Sequence, residues 1–210
     1  MESIQQLKES IIQMRTKQAQ ELTQSLLQDG MDPNEILNQG LIPGMDEVGR
    51  LFTEGEYFVP EVLVAAKAMN GAMAILEPLL SREKERGNAK IVAGTIEGDL
   101  HDIGKNLLCM MLKGAGMHIV DLGVDVSPER FSKAVQEEKP DFVAISALLT
   151  STMMNIPRVI AELQQKGLRE SVKILVGGAP LTQEYAQQIG ADGYSADASE
   201  AVALVRTMMG

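Results

Sequence analysis

The hydrophobic period of this chain changes once, near residue 88, and that change limits the fold more than any other feature. Before it, apolar residues recur at helical spacing. Ile4, Leu7, Ile11 and Met14 open the pattern, followed by Leu22, Leu26 and Leu27. Asp32-Pro33 predicts a helix start, since Asp caps and Pro fits the first turn. Ile36, Leu37, Leu41, Met45, Val48 and Phe52 continue that helix. Pro43-Gly44 is expected to bend or break it, and Gly55 to close it. Pro60 then opens a long helix with Val62, Leu63, Ala66, Met69, Met73, Leu76 and Leu80 on its apolar side. Residues 81–88 are charged, end in Gly-Asn and read as a linker.

After Lys90, short β-rich runs alternate with helical stretches. The runs are Ile91–Ile96, His118–Leu122, Phe142–Ala147, Ile174–Val176 and Gly193–Ala196. Helices are expected near 104–115, 128–138, 151–166, 182–189 and 198–209. Apolar strands alternating with helices predict a parallel sheet covered on both faces. Five such units suit a doubly wound, flavodoxin-like (Rossmann-like) domain, in which a ligand binds beyond the carboxyl ends of the strands. The expected architecture is therefore α + α/β. A helical bundle occupies residues 1–88, and a five-stranded parallel-sheet domain occupies 89–210.

Composition narrows the chemistry. The 210 residues include two histidines, one cysteine and no tryptophan. A zinc site of Cys/His type needs more such ligands, and one cysteine cannot pair within the chain. A reducing, cytosolic setting is expected. The net charge is −10, which argues against nucleic acid and against an anionic membrane surface. The bundle carries −6 and the α/β part −4. The N-terminal MESIQQLKESIIQ has no basic stretch followed by an apolar core, so no secretion signal is expected. No apolar run is expected to approach the roughly 18 residues that span a bilayer.

The loop after the first strand, Glu97-Gly98-Asp99-Leu100-His101-Asp102-Ile103-Gly104-Lys105-Asn106, sits where a ligand should bind. A phosphate loop fits poorly. Five residues separate the glycines where a P-loop has four, Asn106 replaces the Ser/Thr that holds magnesium, and two acidic side chains would repel phosphate. A plain polar loop that caps the next helix is a second reading. The third is a metal relay. Asp two residues before His can accept from one ring nitrogen and leave the other free to ligate. A lone His cannot hold a bare ion, but it can hold a metal whose macrocycle supplies the remaining ligands.

Asp99-x-His101-x-x-Gly104 resembles the cobalamin-binding motif D-x-H-x-x-G. Ser146-Ala147-Leu148 follows after 41 residues and resembles the S-x-L of the same family. Gly177-Gly178 follows Leu148 after a further 28 residues and resembles its G-G. All three elements fall at the ends of expected strands. Their order and spacing are similar to those of methionine synthase and the small corrinoid methyl-carrier proteins. The resemblance implies that the chain binds cobalamin or a related corrinoid. His101 would be the lower axial ligand of cobalt, replacing the cofactor's own base. The displaced tail would thread into the α/β domain past Gly177 and Gly178, with Ser146 and Thr150 beside it, Leu148 lining the slot and Ala198 on the nucleotide side. Gly98, Asp102, Ile103 and Gly104 would lie close to the corrin. Thr152, where methionine synthase has serine, would complete a relay with Asp99.

The chain has seven aromatic residues, and three of them are Phe52, Tyr57 and Phe58. One reading is a core cluster at the turn between two helices, expected for at least one of them. The other is a hydrophobic lid. Leu51–Val62 resembles the helical cap of the same family, in which residues matching Phe52, Val59 and Val62 shield the upper corrin face. Val59 is smaller than the leucine of methionine synthase. A lid that excludes water would protect a reduced cobalt and its methyl bond.

Among the remaining residues, Cys109 lies between Leu107, Leu108 and Met111 and reads as core. His118 reads as structural or exposed. Asp102 and Lys105 are ordinary loop charges by residue type, and Met153-Met154 could border a corrin edge. The resemblance implies a methyl carrier without catalysis of its own. It would serve a substrate-specific methyltransferase and a second corrinoid-dependent methyltransferase that passes the methyl group to a tetrahydrofolate-type or thiol acceptor. A reductive activase is a further expected partner. A cobalamin sensor would carry a basic DNA-binding segment in front, and none is read ahead of residue 1. The small subunit of an adenosylcobalamin mutase generally lacks the helical cap. The methyl donor is not legible.

Overall fold

A computed structural model describes residues 2–76, 78–79 and 89–210. The expected linker at 81–88 and Leu80 lie outside the described residues. The chain divides into two compact units. One holds the described residues of the first 88 together with Met110–Gly116, and the other holds Ala89–Cys109 and Met117–Gly210.

The first unit is helical: α1 (Glu2–Ile12), α2 (Thr16–Gln28), α3 (Pro33–Ile36), a π-helical turn (Leu37–Leu41), α4 (Ile42–Thr53) and α5 (Val59–Leu76). Asp32 caps α3, its side chain accepting from the Asn34 N–H at 2.8 Å. The expected bend near Pro43 is a widened π turn ahead of α4, with Pro43 in the first turn of that helix. Proline has no N–H to continue the ladder, and the wider turn absorbs the missing bond. Gly44 is more than a breaker. A Cβ there would lie 2.9 Å from Cβ of Ile11, and one at Gly40 2.9 Å from Leu7 Cδ2. The two glycines let α1 settle against the bent helix, where Leu7 and Ile11 are fully buried.

The buried stripe of α5 is Val62, Ala65, Ala66, Ala68, Met69, Ala72 and Leu76. Leu63 was expected on that stripe but is exposed, because it falls one position off the period. The expectation that no apolar stretch approaches membrane-spanning length also needs correction. Val59–Leu76 is long and apolar enough by length and composition. It carries Glu61, Lys67 and Asn70, and its small buried residues are those of a bundle core helix.

The second unit alternates β1 (Lys90–Thr95), α6 (Ile103–Gly114), β2 (His118–Asp121), α7 (Pro128–Glu138), β3 (Phe142–Ser146), α8 (Thr150–Met153), α9 (Ile156–Gln165), β4 (Lys173–Gly177), α10 (Gln183–Ile189), β5 (Gly193–Ser195) and α11 (Ala198–Met209). The sheet is wholly parallel in the order β2-β1-β3-β4-β5. Strand order reverses between β1 and β3, which opens a crevice at their carboxyl ends. Val92, Val143, Ile145, Ile174 and Val176 pack under Phe131 and Val135 of α7 and Val159 and Leu163 of α9. Ile91 and Ala93 point the other way and are equally buried, so both faces are covered. The helix expected over 151–166 is two helices, split at Met154-Asn155. Pro157 in the first turn of α9 has no N–H for the preceding turn and crowds its carbonyl.

Candidate cofactor-binding site

The register of the sheet sets one row at its carboxyl edge. Thr95 pairs with Ser146, Ser146 with Gly177 and Gly177 with Ser195. The three motifs, far apart in sequence, leave the sheet side by side from this row. Gly98, Asp99, His101, Asp102, Ile103 and Gly104 follow β1. Leu148, Thr150 and Thr152 follow β3, Gly178 follows β4, and Ala198 opens α11 after β5.

Asp99 is the centre of the arrangement. It has no exposed surface. Its Oδ1 accepts from His101 Nδ1 at 2.7 Å and from the His101 backbone N–H at 3.1 Å. Its Oδ2 accepts from the Leu148 N–H and the Thr152 hydroxyl, each at 2.7 Å. Burial opposes ionisation of this carboxyl, but the bonds from Leu148, Thr152 and His101 outweigh it and hold Asp99 well below the usual carboxylate range. An ionised carboxylate only accepts, so the Nδ1 proton sits on His101 and points at Asp99. In the neutral ring, Nε2 carries the lone pair. It makes no hydrogen bond among the described residues, and the side chain is half exposed. The ring is locked from one side and offered from the other, as a metal-ligating histidine requires.

The loop that carries this pair is tied down at several points. The Thr95 hydroxyl donates to the His101 carbonyl at 3.0 Å. Asn155 Nδ2 donates to the Glu97 carbonyl at 3.0 Å. Asp125 accepts from the Gly98 N–H at 2.7 Å, and its own N–H donates to the Asp99 carbonyl at 3.1 Å. Asp125 does this from a left-handed backbone (φ 52°), which Asp tolerates better than most residues. Sequence reading missed Asp125 and Asn155. Neither belongs to the motif, and both come near it through turns that carry no periodic signal.

The glycines have different reasons. Gly98 has φ +83° and packs under the Thr152 methyl, so it shapes the loop. At Gly178 (φ +130°) a Cβ would overlap the Ala147 carbonyl oxygen, and at Gly177 it would lie 3.0 Å from the Ser195 carbonyl. The chain itself demands glycine at 178 and leaves little room for a side chain at 177, before any tail passes by. At Gly104 a Cβ would meet no protein atom within 4 Å. The protein leaves open space above that position.

On the loops that carry the motifs, several apolar side chains are exposed beside the polar ones. Leu100 is 72% exposed and Ile103 76%, and Leu148, Leu149 and Met154 are also exposed. Leu100 and Leu149 escaped the sequence reading, although apolar residues flanking a polar motif on both loops were a usable signal. Ser146 is half-buried, Thr150 and Asp102 are exposed, and Ala198 is buried at the start of α11. Met153 packs against the core while Met154 is exposed. Cys109 is buried beside Leu107 and Met111 in α6, and His118 is exposed on β2. Among the described residues no group of three or more His, Cys, Asp or Glu could hold a bare metal ion. One oriented imidazole, exposed apolar side chains and open space over Gly104 suit a flat macrocycle that brings its own metal.

Phe52, Val59 and Val62 belong to the helical unit. Phe52 and Val59 are half-buried and Val62 is fully buried. Tyr57 is part of the bundle framework, its hydroxyl donating to the Ile12 carbonyl at 3.0 Å. Phe58 is 64% exposed.

Comparison with known proteins places the chain in a family. Residues 89–203 match a family described as B12 binding domain, and residues 3–77 match a second family of the same description. The chain is 42% identical over 210 residues to the trimethylamine corrinoid protein of Methanosarcina barkeri, covering 99% of this chain and 97% of the relative. A cobalamin-binding protein from Desulfitobacterium hafniense superimposes with a TM-score of 0.81 at 30% identity, over 99% of this chain and 98% of that one. A chain of the methanol:cobalamin methyltransferase complex from Methanosarcina barkeri gives 0.86 at 30% identity, over 99% of this chain and 80% of that one. The chain belongs to the B12-binding corrinoid protein family.

Proposed function

We propose that this protein is a methyl carrier. It would take a methyl group from a substrate-specific methyltransferase and present it to a second methyltransferase, which passes it to a tetrahydrofolate-type or thiol acceptor. The observation that carries this reading is His101, its Nδ1 proton fixed on buried Asp99 and its Nε2 free. The bound corrinoid would supply a cobalt that accepts and releases the methyl group. The chain's own residues would hold and tune it. His101 Nε2 would coordinate that cobalt. Asp99 and Thr152 keep the proton on Nδ1 and so set the basicity of Nε2. Gly98, Leu100, Asp102, Ile103 and Gly104 would seat the macrocycle. Ser146, Leu148, Thr150, Gly177, Gly178 and Ala198 would line the path of its tail.

The bundle, residues 1–88, would act as a cap for the corrinoid held by residues 89–210: half-buried Phe52 and Val59 would shield it, and fully buried Val62 would support the helix that carries Val59. A reductive activase would restore protein whose cobalt has been oxidised. The chain performs no substrate chemistry alone and would work in the cytoplasm. Relatives described as trimethylamine corrinoid proteins and a neighbour from a methanol system support methylamine or methanol as the donor class.

The test is reconstitution with hydroxocobalamin. Wild-type protein should bind it and give a visible spectrum that changes in His101→Ala. Tight binding with identical spectra in both proteins sinks the ligation claim. Methyl transfer should then require an added methyltransferase.

A further inference from the structure

Lys105 reads as a loop charge in sequence, yet it is 3% exposed. Its ammonium donates to both carboxylate oxygens of Asp121, at 2.7 and 2.6 Å, and to Asn106 Oδ1 at 2.7 Å. All three N–H groups are therefore used. Asp121 ends β2 and also accepts from the Gly123 N–H at 2.8 Å. Asn106 Nδ2 donates in turn to Asp102 Oδ2 at 3.0 Å. A continuous chain of bonds, Asp121–Lys105–Asn106–Asp102, runs from the end of β2 to the residue beside His101.

This arrangement is costly in itself. Taking an ammonium out of water is unfavourable, and the first turn of a helix repels positive charge. An apolar side chain would fill the same space at lower cost, so stability is a poor reason for the lysine. What an apolar residue cannot do is fix direction. The two-oxygen grip of Asp121 pins the first turn of α6 to β2, and the amide of Asn106 sets the Asp102 carboxylate. Thr95 holds the His101 carbonyl on the upstream side. Lys105 supplies the matching restraint downstream.

We propose that Lys105 is a positioning residue for His101: clamped by Asp121, it fixes the start of α6 and, through Asn106, Asp102, and so sets where the free Nε2 of His101 points. The proposal rests on the corrinoid reading and is tested so that the two can fail separately. Full-length wild type, His101→Ala, Lys105→Met and the double variant Lys105→Met/Asp121→Asn are labelled with 15N in the histidine ring and loaded with cob(II)alamin. Electron paramagnetic resonance distinguishes a 15N doublet from His101 on cobalt from the 14N triplet of the cofactor's own base. Wild type should give the doublet and His101→Ala should lose it. Lys105→Met should stay folded by circular dichroism and bind cob(II)alamin. Its doublet fraction should fall by roughly threefold to tenfold, near the lower end of what a ligand's outer partners are worth. The double variant leaves no buried charge unpaired and should show the same loss. A full doublet in either folded Lys105 variant overturns the proposal and leaves the corrinoid reading intact. Absence of the doublet in wild type overturns that reading itself. If neither Lys105 variant folds, the lysine is a structural residue and the proposal is overturned.

Discussion

Asp99 and Thr152 are 53 positions apart in the chain, and the hydroxyl of one donates to the buried carboxylate of the other at 2.7 Å. The bond joins the loop after β1 to the first turn after β3, across the place where strand order reverses. Thr152→Val removes the donor and leaves Asp99 short of a partner in a buried site. A hydrogen bond to a charged group is worth about 1.5–3 kcal/mol, and chemical denaturation should show a loss of that size. Thr152→Ser keeps the hydroxyl and should recover most of it. Equal stability for the valine and serine variants would mean that the hydroxyl contributes nothing.

Gly178 and Gly104 separate what the fold needs from what a ligand needs. Gly178→Ala drives a Cβ into the Ala147 carbonyl at φ +130°, where the strand exits cannot part cheaply. The expected loss exceeds about 4 kcal/mol, the range reserved for severe backbone or core damage. It should appear as insoluble protein or a collapsed melting transition. Gly104→Ala meets no protein atom and gains about 0.5–1 kcal/mol of helix propensity at most. It should therefore melt no lower than wild type while binding hydroxocobalamin more weakly, because the new methyl occupies the space left for the macrocycle.

Gly44 tests the bundle. Its Cβ would fall 2.9 Å from Ile11 Cβ and 3.1 Å from the Lys8 carbonyl oxygen. Gly44→Ala should destabilise the helical unit by about 1–3 kcal/mol through overpacking, despite the better helix propensity of alanine. Thermal melting followed by helical circular dichroism measures this. A stabilised variant would show that α1 moves aside freely.

Asp125 holds the histidine loop with two bonds. Asp125→Ala loses the carboxylate and puts a less tolerant residue at φ 52°, so a loss of about 1–2 kcal/mol is expected. Asp125→Asn keeps an acceptor oxygen and the left-handed backbone, and should stay within about 0.5 kcal/mol of wild type. Hydrogen exchange of the Gly98 amide locates the effect. It should speed up in the alanine variant and hold in the asparagine variant.

Much of this molecule was legible as a string. The switch from helical period to alternating runs located five strands and most helices, since side-chain period is a local consequence of backbone geometry. It overran at 151–166, where Pro157 splits one expected helix into α8 and α9. The motif Asp99-x-His101 was readable because both partners lie in one loop, two residues apart. Lys105 was misread for the opposite reason. Its partner Asp121 is 16 positions away on the next strand, and residue type alone calls a lysine exposed.

Sequence by itself determined the order of helices and strands, the parallel sheet and the types of side chain carried by the motif loops. Those follow from local periodicity and from the identity of side chains. Tertiary structure decided the state of those side chains. The β1–β3–β4–β5 register brings Thr95, Ser146, Gly177 and Ser195 into one row and so sets the three motif loops together. Hydrogen bonds from Leu148, Thr152 and His101 keep Asp99 ionised in spite of its burial, and they hold one edge of the imidazole while the ring stays half exposed. Such effects depend on distance through space and on exclusion of water, and neither quantity is written in the order of the residues.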